Sequence, residues 1–77
     1  ATSIRFALSD NGHVRLTIYD TAGRRVRELV NEYMAAGEHG RIWNGRDDSG
    51  RRVVSGVYSY RLEANGLVQT KRLVVVR

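Results

Sequence analysis

The sequence predicts an all-β fold, an antiparallel β-sandwich or barrel, on three observations. Turn-forming residues recur at short intervals and leave apolar runs of strand length between them. One run alternates cleanly, with Val14, Leu16 and Ile18 on one face and His13, Arg15, Thr17 and Tyr19 on the other. Asn65-Gly66 is a strong two-residue hairpin signal, because both residues accept the positive φ that such a turn needs.

Taken in order, Ser3 to Leu8 places Ile4, Phe6 and Leu8 on one face. Ser9-Asp10-Asn11-Gly12 then supplies turn chemistry. The runs on either side of it read as one antiparallel hairpin. Asp20-Thr21-Ala22-Gly23 is a second turn. Arg24 to Ala36 is ambiguous. Val26, Leu29, Val30, Tyr33 and Met34 fall at the spacing of an amphipathic helix, and Gly37 would stop it. As a strand, the same stretch requires an irregularity near Glu28, because Val26 and Leu29 have opposite parity. Periodicity alone favours the helix.

Glu38 to Trp43 is extended, and Asn44 to Gly50 is a polar, turn-rich loop. Val53-Val54 suggests a short strand. Gly56 to Glu63 carries the strand formers Val57, Tyr58, Tyr60 and Leu62. Leu67 to Val76 closes the chain and is apolar on both faces at its end, which predicts a central or doubly covered strand. No internal repeat, low-complexity tract or linker interrupts these elements.

Length and composition bound what such a fold can do. Seventy-seven residues make one domain, 1–77, and leave little room for a deep cleft beside a core. Cysteine is absent, so no disulfide staples the chain. Twelve of the thirteen basic residues are arginine, the net charge is +5, and the arginines are spread over the whole length. That spread suits a solvated surface better than a nucleic-acid footprint. No run approaches the roughly 18 apolar residues of a membrane span. The chain opens directly in a strand pattern, as if cut from a longer protein.

The residues that carry chemistry elsewhere have plainer readings here. Trp43, the single tryptophan, suits a sandwich core better than a sugar platform; Leu16, Ile18 and Phe6 join it there. Asp47 and Asp48 lack the spacing of a calcium loop. Asp47 is expected to accept bonds from loop N–H groups, with Gly45 and Gly50 giving the backbone its freedom. His13 and His39 have no ligand-spaced partners for a metal. Ser49 and Ser55 sit beside glycines without a strand–nucleophile–helix elbow. Tyr58 and Tyr60 share one face and suit packing with hydroxyls at the rim, rather than base stacking. The residues therefore predict neither an enzyme nor a cofactor or metal.

The segment Trp43-Asn44-Gly45-Arg46-Asp47-Asp48-Ser49-Gly50 is more specific. Together with Ser55-Gly56-Val57-Tyr58-Ser59-Tyr60-Arg61-Leu62, Lys71-Arg72-Leu73-Val74 and the opening strands, it resembles the C-terminal sorting domain (type A) of the type IX secretion system. The Ig-like domain of the flagellar hook-capping protein is a close relative. The sequence departs from the usual pattern at Arg52, where proline is common, and at Arg41, where an apolar residue is common. The resemblance implies an Ig-like antiparallel sandwich of about seven strands. It also implies that Arg24 to Ala36 is strand and loop.

By resemblance, the domain would direct a secreted parent protein through the type IX machinery, from the periplasm of a Gram-negative bacterium to the outside or the cell surface. Its partners would be that machinery and the upstream domain of its own chain. The residues implied in recognition are Gly56, Val57, Tyr58, Lys71, Arg72, Leu73 and Arg77, on the reasoning that a partner can pair with a terminal strand whose edge is readable. The alternatives are a structural Ig-like accessory module of the hook-capping type and a carbohydrate-binding module of a secreted enzyme.

Overall fold

A computed structural model describes residues 2–76. Its elements are β1 (Thr2–Leu8), β2 (Gly12–Tyr19), β3 (Arg25–Met34), β4 (Gly37–Trp43), β5 (Gly56–Ala64) and β6 (Leu67–Val75). β1 pairs with β4 in a two-stranded sheet, and the second sheet has the order β3-β2-β5-β6. All pairings are antiparallel. The described residues thus form six strands, where about seven were expected. Val53 and Val54 lie outside any strand, and that stretch forms only an isolated bridge between Arg46 and Arg52.

The alternation in β2 does what its pattern predicts. Val14, Leu16 and Ile18 are fully buried and meet Trp43, Ile4, Leu8, Val30 and Met34 in the space between the sheets. Phe6 stands at the margin rather than in the core. It is half-buried, with its ring stacked on His39 at a centroid distance of 5.6 Å.

The expected hairpin between the first two strands does not form. β1 pairs with β4, from Thr2↔Trp43 to Leu8↔Gly37, while β2 pairs with β3 and β5. The loop after β1 carries the chain from one sheet to the other instead of reversing it within one. The corner between β3 and β4 makes the same crossing, and Asn11 joins the two: its Oδ1 accepts the Ala36 N–H at 2.7 Å. Asn65 ties the same loop to the far turn by donating from Nδ2 to the Asp10 carbonyl at 3.1 Å. Turn chemistry marks where a chain changes direction, but not whether it stays in the sheet.

Arg25–Met34 is a strand, as the resemblance implied and periodicity did not. The irregularity required near Glu28 is present. Leu16 faces Val30 and Thr17 faces Glu28, so Leu29 is the extra residue of a bulge. The bulge resets the parity that made the segment read as helical.

The Asn65-Gly66 turn forms as predicted, with φ of 53° and 78° and Ala64 paired to Leu67. The strand that follows it is not the central one that its apolar end predicts. β6 is an edge strand, and Leu67 to Arg72 is exposed throughout.

Candidate functional site

The polar residues of greatest structural consequence cluster at the β3 edge. Two five-residue segments there share the pattern Asp-x-x-Gly-Arg: Asp20-Thr21-Ala22-Gly23-Arg24 and Asp47-Asp48-Ser49-Gly50-Arg51. They fold alike. Asp20 Oδ1 accepts the N–H groups of Ala22 and Arg24 at 3.0 and 2.9 Å. Asp47 Oδ1 accepts those of Ser49 and Arg51 at 2.9 and 3.0 Å. In each, the aspartate N–H donates to the arginine carbonyl, Asp20 to Arg24 and Asp47 to Arg51. The glycine N–H returns to the aspartate carbonyl in both. Gly23 and Gly50 sit at φ of 82° and 85°, a left-handed conformation that a Cβ would strain.

The first turn joins β2 to β3. The second sits within the loop between β4 and β5, flanked by the Arg46–Arg52 bridge. Arg24 also ion-pairs Asp20 at 3.0 Å. The Arg24 N–H, foremost among several bonds, holds the Asp20 carboxyl below the usual carboxylate range.

Asp48 fastens the second turn to β3. Its N–H donates to the Val26 carbonyl at 2.9 Å, and its Oδ1 accepts the Glu28 N–H at 3.0 Å. Its Oδ2 accepts Arg25 Nε at 3.0 Å. The Glu28 N–H is the largest cause of a lowered Asp48 pKa, with the Arg25 guanidinium adding to it. Arg27 reaches the Asp47 carbonyl at 3.2 Å from the same strand. Together these groups occupy hydrogen-bonding positions of a bulged edge that would otherwise face water.

Trp43 anchors the other side of this loop. Its ring is fully buried, and its Nε1 donates to the Arg46 carbonyl at 2.9 Å. Tyr58 meets it edge-on at 5.5 Å and donates its hydroxyl to the Val54 carbonyl at 2.6 Å. The loop is thus held at its start by Trp43 and at its end by Tyr58. A buried Trp43 offers no ring face to a sugar.

Asp47 behaves as expected, and Gly45 and Gly50 supply the positive φ, 75° and 85°, that the loop demands. The turn expected at Asp20 to Gly23 forms, while the tie that Asp48 makes to β3 was not foreseen; the matching Asp-x-x-Gly-Arg strings at Asp20 and Asp47 were the signal for a shared turn. Among the described residues, no three His, Cys, Asp or Glu side chains gather into a metal site. His13 meets Asn31 across the β2–β3 pair, and His39 Nε2 lies 2.7 Å from the Ala35 carbonyl.

The residues implied in recognition do not form one surface. Gly56 opens β5, and Val57 faces solvent. Tyr58 and Leu73 are cross-strand partners buried in the core, where their side chains are out of a partner's reach. Lys71 and Arg72 are exposed on β6. Arg77 lies outside the described residues.

The family model of the FlgD Ig-like domain matches residues 1–67. The chain belongs to that family. The match runs from β1 through the Asn65-Gly66 turn and ends on the first residue of β6. Among solved structures, this FlgD Ig-like domain is similar to FlgD from P. aeruginosa, with a TM-score of 0.73 and 23% identity. The similarity covers 95% of this chain and 59% of that one. At that identity the likeness speaks for the fold. No curated protein matches the chain.

Proposed function

We propose that this domain is a non-catalytic structural Ig-like module, a spacer or assembly piece within a longer exported protein, of the kind carried by the hook-capping protein. Membership of the FlgD Ig-like family carries this reading. The chemistry of the chain agrees with it. Asp20, Asp47 and Asp48 hold turns and a sheet edge, and Trp43 and Tyr58 hold a loop. These are structural tasks.

The sorting function ranks second. The observation in its favour is that Lys71 and Arg72 stand exposed on an edge strand. One experiment separates the two readings. A periplasmic reporter carries the domain at its C-terminus in a bacterium that has type IX secretion. A structural module leaves the reporter folded and in the periplasm. Release to the medium or display on the surface, lost when Lys71 and Arg72 are reversed to glutamate, would overturn the structural-module reading in favour of sorting.

A further inference from the structure

The two edges of the four-stranded sheet are unlike. The β3 edge is interrupted by register shifts opposite Leu16/Thr17 and Ile18/Tyr19. It is also covered where Asp48 bonds Val26 and Glu28 and where Arg27 bonds Asp47. Such bulges and covers stop a sheet from growing onto another chain. β6 has neither among the described residues. It pairs with β5 in unbroken register over nine residues, from Gly56↔Val75 to Ala64↔Leu67, and contains no proline. On its other side the alternate N–H and C=O groups have no strand partner. Leu67, Val68 and Val74 are 71%, 61% and 60% exposed along it. Beside its first residues opens a groove of about 240 Å³ lined by Leu8, Leu62, Ala64, Leu67 and their neighbours.

Charge decides what can pair there. Lys71 and Arg72 lie mid-strand and, being consecutive, point to opposite faces. The ion pairs of the described residues engage Arg15, Arg24, Arg25, Arg41 and Arg61, but neither Lys71 nor Arg72. A second copy adding its own β6 in antiparallel fashion, centred on Lys71, would set Lys71 directly against Lys71 and each Arg72 against a Thr70, and like charges facing across strands are destabilising.

We propose that the free edge of β6 is a strand-pairing site for an extended acidic segment of a partner protein. That segment carries carboxylates opposite Lys71 and Arg72 and apolar residues opposite Leu67, Val68 and Val74. Main-chain bonds to the edge supply the affinity, and the two cations select acidic over basic strands. Nine paired residues span about 30 Å, enough for a short peptide to test the site.

The probes are two nine-residue peptides of valine and threonine, one with two central glutamates and one with two central lysines. They are titrated into the isotopically labelled 77-residue domain, with amide exchange read residue by residue. The glutamate peptide is expected to slow exchange at the outward amides of Leu67 to Val75 and leave β3 unchanged. The lysine peptide should bind at least tenfold more weakly. The double variant Lys71→Glu, Arg72→Glu should invert the preference, with its own amide spectrum confirming an intact fold. Equal binding of both peptides, no binding, or protection at another site overturns the proposal. So does a concentration-dependent dimer that protects β6 without peptide, which would make a second copy the occupant. None of these outcomes bears on the structural-module reading, which stands or falls on reporter export.

Discussion

Replacing Asp48 tests whether the loop between β4 and β5 is fastened to β3 as described. Asp48→Ala removes the acceptor for the Glu28 N–H at 3.0 Å and the partner of Arg25 Nε at 3.0 Å. The Asp48 N–H can still donate to Val26. The Asp48 side chain is 43% exposed, so water can reach the orphaned Glu28 N–H and soften the penalty. A lost cap-like bond of this kind is expected to cost about 1–2 kcal/mol. Asp48→Asn keeps an amide oxygen for the Glu28 N–H and loses only the charge facing Arg25, a half-exposed pair worth about 0–1 kcal/mol. Alanine should therefore cost more than asparagine. Urea unfolding at neutral pH, followed through Trp43 fluorescence, measures both. The denaturant slope should be unchanged, since neither substitution alters the area buried.

Acid adds a second readout of the same bond. The Glu28 N–H, joined by the Arg25 guanidinium, holds the Asp48 carboxyl below the usual carboxylate range. Its contribution is therefore present above the unfolded value and lost as pH falls through the folded one. Asp48→Asn should lose less stability than the parent on acidification, and the two should converge in strong acid. A cost within about 0.3 kcal/mol for Asp48→Ala would refute the fastening, because a lost backbone acceptor is expected to exceed it. Equal costs for alanine and asparagine would show that charge, not the Glu28 bond, does the holding.

Three further outcomes follow from named groups. Gly50→Ala, at φ 85°, should destabilise by about 1–2 kcal/mol in equilibrium unfolding, the cost of a left-handed conformation for a residue with a Cβ. Tyr58→Phe keeps the edge-on contact with Trp43 but loses the 2.6 Å bond to Val54, and should cost about 1 kcal/mol by thermal or urea unfolding. Asp20, whose pKa is lowered chiefly by the Arg24 N–H, should titrate below an ordinary aspartate when followed by carbon NMR, and Gly23→Ala should raise its pKa by disturbing that turn.

The legibility of the fold varied with how local its cause was. β2 was readable because its alternation reports one buried face, and β5–β6 because Asn65-Gly66 fixes a hairpin by backbone conformation alone. The bulge in β3 was readable as a parity conflict between Val26 and Leu29, although periodicity by itself pointed to a helix. Sheet membership was not readable. The turn from Ser9 to Gly12 looks like a hairpin turn, but its partners are Ala36 and Asn65, which lie far along the chain. The apolar end of β6 suggested a central strand, yet an apolar run does not report whether a neighbour stands beside it. Within the site, Asp47 was legible as a turn former. The role of Asp48 was not, because its partners Arg25 and Glu28 reach it only through tertiary packing.

The central structural claim is that one sheet edge is covered by a loop at its start, from Arg25 to Glu28, and the other is left open along its length. Native-state amide exchange on the unliganded domain tests it directly. Slow exchange is expected for the amides of Glu28 and Asp48, which donate to Asp48 Oδ1 and to the Val26 carbonyl. Fast exchange is expected for those amides of Leu67 to Val75 that point away from β5. Fast exchange at Glu28 and Asp48, or protection of every amide along β6, would contradict it.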